Sequence, residues 1–129
     1  MIEIKKAFQN LSPEEFSQLL DSPVWIALTA AYAGDGVVSE DERAEAIRLV
    51  HLRVFTAPKS LRPFYELGDS QFEQRFTILD LRLPSRLEDI EIYLEQQLKR
   101  VYEIMIKLDP DVSSSLEESL ESFYEHVFN

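Results

Sequence analysis

The stretch "SPVWIALTAAYAGDGVVSEDERAEAIRLV", residues 22–50, joins two helical patterns of opposite character through a short turn. In the first, Ser22 reads as an N-cap and Pro23 as the opening helical residue. Trp25, Ile26, Leu28, Ala30 and Ala31 then leave almost no polar face, which marks a buried helix. In the second, charged residues surround Ile47, Val50 and Val54 at three- and four-residue spacing as far as Phe55, until Pro58 breaks the pattern. Neither half shows the alternation of a strand.

Helix signals continue in both directions. A short helix is expected over residues 2–8, and "SPEE" at 12–15 supplies a cap serine, a first-turn proline and two glutamates ahead of Phe16, Leu19 and Leu20. Beyond Pro58, "SLRPFYELG" and "SQFEQRFTILDLRL" read as two shorter helices separated by Gly68 and Asp69, in a region where Arg62, Arg75 and Arg82 are dense. "SRLE" at 85–88 has capping-box spacing and opens the longest expected helix, which runs through Leu87, Ile90, Leu94, Leu98, Val101 and Met105 to about Leu108. Asp109 and Pro110 stop it. A last helix within residues 113–128 sets Leu116, Leu120, Phe123 and Val127 on one stripe. The expected fold is all-α, a compact bundle of about six or seven helices in one domain over residues 1–129.

Composition narrows the function classes. The 129 residues contain no cysteine, so disulfides, thiol catalysis and cysteine-ligated zinc are excluded. A formal net charge of -11 repels nucleic acid and anionic lipid and attracts cations or a basic partner. The N-terminal residues lack the apolar run of a signal peptide, and no segment approaches the ~20 apolar residues of a spanning helix. A cytoplasmic protein with no nucleic acid partner and no membrane insertion is expected.

The turn "AGDGVVSEDE", residues 33–42, has two readings. Placing Asp35 at position 5 of a calcium loop puts Gly36, Val38, Ser39 and Glu42 at positions 6, 8, 9 and 12. The same register puts Ala31 and Ala33 where the first two carboxylates belong, leaving about five oxygens against the 6–8 that calcium takes. The metal-free reading uses every residue: Gly34 stops one helix, Asp35 accepts backbone N–H groups, Gly36 takes positive φ, and Ser39 with Glu42 closes a capping box.

Read with its flanks, residues 25–50, this segment resembles the tellurite-resistance TerB-like family. That family's hallmark is an apolar helix ending in Ala-Asp-Gly, any residue, Val or Ile, Ser or Thr, two residues and Glu. The sequence Gly34-Asp35-Gly36-Val37-Val38-Ser39-Glu40-Asp41-Glu42 departs from it only at the small residue before the aspartate. The resemblance implies a helical bundle in a bacterial stress or metal-related assembly, without an established catalytic reaction. It also implies a divalent cation held by acidic residues, which map here to Asp35 and Glu42. Many members repeat the motif in a second half, for which "DVSSSLEE" offers Asp111, Ser115 and Glu118, with Val112 in place of the glycine and Ser114 in place of the apolar residue.

The remaining constellations are weaker. Neither His51 nor His126 has an i, i+4 histidine or acidic partner, so both read as packing or surface residues. Ser113, Ser114 and Ser115 lack a sequence-evident base. Glu117, Glu121 and Glu125 repel one another at i, i+4 spacing, with no Lys or Arg after Lys107. Tyr124 and Phe128 carry the apolar stripe of that helix round toward a core, homodimer or partner surface. The expectation is a non-enzymatic TerB-like domain with a divalent cation at Asp35 and Glu42 and no organic cofactor. The alternative is a metal-free protein–protein interaction module that uses the acidic, aromatic C-terminal helix.

Overall fold

Buried side chains from every helix meet in one core in the computed structural model, which describes residues 8–34 and 38–127. The elements are α1 (Pro13–Leu20), α2 (Ser22–Gly34), α3 (Glu40–Thr56), a 3-10 turn (Lys59–Leu61), α4 (Arg62–Leu81), α5 (Leu87–Met105) and α6 (Pro110–His126). Five of these helices run 13 to 20 residues, α1 has 8, and no strand occurs among the described residues. None is long and apolar enough to cross a membrane. The helix expected over residues 2–8 lies outside the described residues except for Phe8, whose buried ring meets Phe16 and Phe64 at 5.3 and 5.6 Å.

The all-round apolar character of α2 is explained by its position, because it packs against every other helix. Val24, Trp25, Ala27, Leu28 and Ala31 are buried, and removing a Leu or Val side chain from water contributes about 1.5–3 kcal/mol. Amphipathic neighbours surround it. Leu19 and Leu20 from α1, Val50 from α3, and Leu116, Leu120 and Phe123 from α6 turn inward as their spacing predicts, whereas on α3 Ala46 is buried in addition, Ile47 and Val54 are half-buried, and Phe55 is exposed.

The Ser39 capping box forms as read, and Ser12, read as a cap, forms one as well. Ser12 and Glu15 exchange backbone and side-chain hydrogen bonds of 3.0 and 3.1 Å, and Ser39 and Glu42 repeat the same geometry at α3. Glu15 also reaches Lys107, and that bond, followed by the Ser12 N–H, holds its carboxyl below the ordinary carboxylate range.

Four boundaries differ from the sequence reading. Residues 62–81 form a single helix through Gly68, because Phe64, Tyr65, Phe72 and Phe76 lie on one continuous buried stripe whose packing outweighs the ~1 kcal/mol helix penalty of glycine. The "SRLE" box does not form. Arg86 is the N-cap of α5, which puts Glu88 at the second helical position, one short of the box register. The last helix begins at Pro110 rather than near Ser113, since Asp109 accepts the Asp111 N–H at 3.1 Å and proline suits the first helical position.

At α2, Ser22 is the first helical residue and not its cap. Asp21 closes α1 through Gln18 O and accepts the first bond of α2 from Trp25 N. The Ser22 hydroxyl is thereby left buried without a hydrogen-bond partner.

Long-range polar pins tie the bundle together. Arg75 grips Asp21, Tyr65 Oη and Ser119 Oγ lie 2.6 Å apart inside the core, and Arg53 donates to Ser122 Oγ at 3.1 Å. Burial pushes the Tyr65 hydroxyl above the usual tyrosine pKa.

Candidate functional site

The start of α3 is built by local chemistry. Ser39 N donates to Glu42 Oε1 at 3.0 Å, and Glu42 N donates to Ser39 Oγ at 3.1 Å, so one carboxylate oxygen of Glu42 is committed to the cap. Asp35 lies outside the described residues. Beside this turn, Arg43 donates to Thr77 on α4 at 2.7 Å and approaches Glu73 at 3.8 Å. At the preceding end of α2, Tyr32 Oη donates to Asp80 Oδ1 at 2.8 Å. Burial, then the Asp80 carboxylate, push the Tyr32 pKa up to about 12.

This arrangement brings α2 and α3 onto one face of α4. Among the described residues, no three His, Asp or Glu side chains converge in a way that could hold a metal ion. Among the described residues, Asp111 and Glu118 are not gathered with Glu42 into a ligand group. Asp111 sits in the first turn of α6 and Glu118 two turns later, so "DVSSSLEE" is continuous helix rather than a loop. Glu118 lines a groove with Arg53 and Thr56 near the far end of α3. Eleven residues of helix separate Arg53 from Glu42, about 16 Å along the axis.

Both histidines are engaged away from that turn. His51 Nδ1–H donates to Asp69 Oδ2 at 2.9 Å with its ring edge-on to Phe55, and His126 Nδ1–H donates to Ser122 O at 2.7 Å. The His51–Asp69 pair was not legible because 18 residues and a helix change separate its members.

A groove of about 340 Å³ opens between α5 and α6. Its floor is Ile26, Leu98, Val101, Met105 and Leu120, and its lips carry Tyr102 from α5 and Tyr124 from α6. Those two residues are 52% and 47% exposed, so Tyr124 stands at the surface rather than packing into the core; Phe128 lies outside the described residues. Glu117, Glu121 and Glu125 form the α6 wall, and no basic side chain lines the groove among the described residues. Sequence spacing identified the glutamates and Tyr124. Tyr102 and the α2 contribution were missed, since neither belongs to the last helix.

Comparison with family models, with curated proteins and with solved structures returns no match.

Proposed function

We propose that this chain is a non-enzymatic, TerB-like interaction domain that recruits a protein partner through the groove between α5 and α6. One observation carries the reading: two half-exposed tyrosines frame an apolar floor whose polar edge is entirely acidic among the described residues. Large aromatics at the lips of an apolar groove are the residues from which interface hot spots are most often made. The carboxylates on the wall, with the net charge of -11, disfavour nucleic acid and anionic lipid as occupants. A bacterial stress or metal-related assembly is the setting that the resemblance of residues 25–50 implies. The test is capture from cells that naturally make the protein, comparing wild type with Tyr124→Ala and Tyr102→Ala. A partner retained by wild type and by both variants would remove the reading.

A second reading follows from Glu42, which engages only Oε1 in the cap. A divalent cation shared by Asp35 and the other Glu42 oxygen would brace α2 against α3. Calorimetric titration with calcium, magnesium, manganese and zinc decides it, on wild type and on Asp35→Asn combined with Glu42→Gln. Absence of both heat and a melting shift in wild type at millimolar metal would eliminate this site.

A further inference from the structure

The groove between α5 and α6 adjoins a second apolar cavity at Leu98, which lines both. The second, of about 270 Å³, lies between α2 and α5, over Thr29, Tyr32, Ala33 and Leu94. Along α5 the lining residues Glu91, Leu94, Leu98, Val101 and Met105 recur every three or four positions, so they form one stripe. From Glu91 to Met105 that stripe spans 14 residues of helix, about 21 Å. Carboxylates edge the whole length: Glu91 and Glu95 at one end, Glu117 and Glu121 at the other. No Lys or Arg lines either cavity among the described residues.

Resting on the docking reading above, we infer that the occupant is an amphipathic α-helix of about four turns from another protein, apolar on one face and flanked by arginine or lysine. The length of the stripe sets the number of turns, since a helix rises about 1.5 Å per residue. Apolar anchors at i, i+3 or i+4 and i+7 fill the floor, as in helix-in-groove recognition. The flanking cations meet the glutamates and relieve the like-charge repulsion between Glu117 and Glu121 at i, i+4 spacing. A second copy of this chain is disfavoured, because a two-fold contact through the same patch sets acidic wall against acidic wall.

The test is a fluorescence-anisotropy titration of the full chain with three labelled peptides. One is a 14-residue leucine-striped helix former flanked by arginines, one carries glutamates in place of the arginines, and one is a seven-residue half of the first. The basic 14-mer binds at low salt, the acidic one does not, and the half binds at least about tenfold more weakly. Glu91→Lys with Glu95→Lys, and separately Glu117→Lys with Glu121→Lys, each weaken the 14-mer by about tenfold while the melting curve is retained. The corresponding Glu→Gln pairs give a smaller loss in the same direction and serve if a lysine pair melts early. Equal binding of acidic and basic peptides, no binding of any, or a half-peptide as tight as the whole would overturn the inference. So would a light-scattering dimer that dissociates in Tyr102→Ala. A natural partner that is lost from Tyr102→Ala and Tyr124→Ala but is not a basic helix leaves the docking surface standing and removes only its assigned occupant.

Discussion

Arg75 holds Asp21 through two parallel hydrogen bonds, Nε to Oδ1 at 2.9 Å and Nη2 to Oδ2 at 2.8 Å, across 54 residues of sequence. The pair locks the α1–α2 junction onto α4, and its two ends differ in exposure: the Asp21 side chain is 9% accessible and that of Arg75 28%. Removing the arginine therefore strands a buried carboxylate, whereas removing the carboxylate leaves a guanidinium that reaches water. Arg75→Met is expected to cost about 3 kcal/mol in urea unfolding and Asp21→Asn clearly less. In the double variant the costs add to less than their sum, because both single changes break the same interaction.

Gly68 is helical, and a Cβ built on it meets no heavy atom within 4 Å. Gly68→Ala is expected to stabilise the protein by about 1 kcal/mol, from helix propensity and a less flexible unfolded chain. The measurement is the denaturant midpoint at unchanged slope, and a lower midpoint would show that α4 needs the glycine.

Ser22 buries a hydroxyl that has no hydrogen-bond partner. Ser22→Ala removes that desolvated group without removing a cap bond, and the expected change is a gain of about 1 kcal/mol. A loss of that size in thermal unfolding would mean that the hydroxyl is satisfied in solution.

Tyr32 titrates at about 12 in the folded protein because burial and Asp80 both oppose its ionisation. An unfolded tyrosine loses its proton near pH 10. Between those values the folded state binds more protons than the unfolded one, so stability falls as pH rises. Stability from this group is flat below about pH 10 and declines from about 10 to about 12. Tyr32→Phe removes part of that decline, which pH-dependent urea unfolding followed by circular dichroism would show.

The elements most legible in the sequence are those whose signals are local. Ser12 with Glu15 and Ser39 with Glu42 cap their helices as their three-residue spacing predicts, since each box needs only atoms within one turn. The same spacing at Ser85 and Glu88 forms no box, because α5 starts one residue late for it. Gly68 and Asp69 read as a break, yet the buried aromatics on either side carry the helix through. Of the candidate site, Glu117, Glu121 and Tyr124 were visible as a helical face. Tyr102, Ile26 and the junction at Leu98 were not, because they come from other helices.

By itself the sequence determined the all-α class, the buried character of α2 and the acidic surface, all of which follow from periodicity, capping chemistry and charge along one chain. The tertiary structure decided which residues meet: Asp21 with Arg75, Tyr65 with Ser119, and the α5 stripe with the acidic wall of α6. Those pairings join residues on different helices, and their partners are set by how helices stack, a choice that local spacing does not encode.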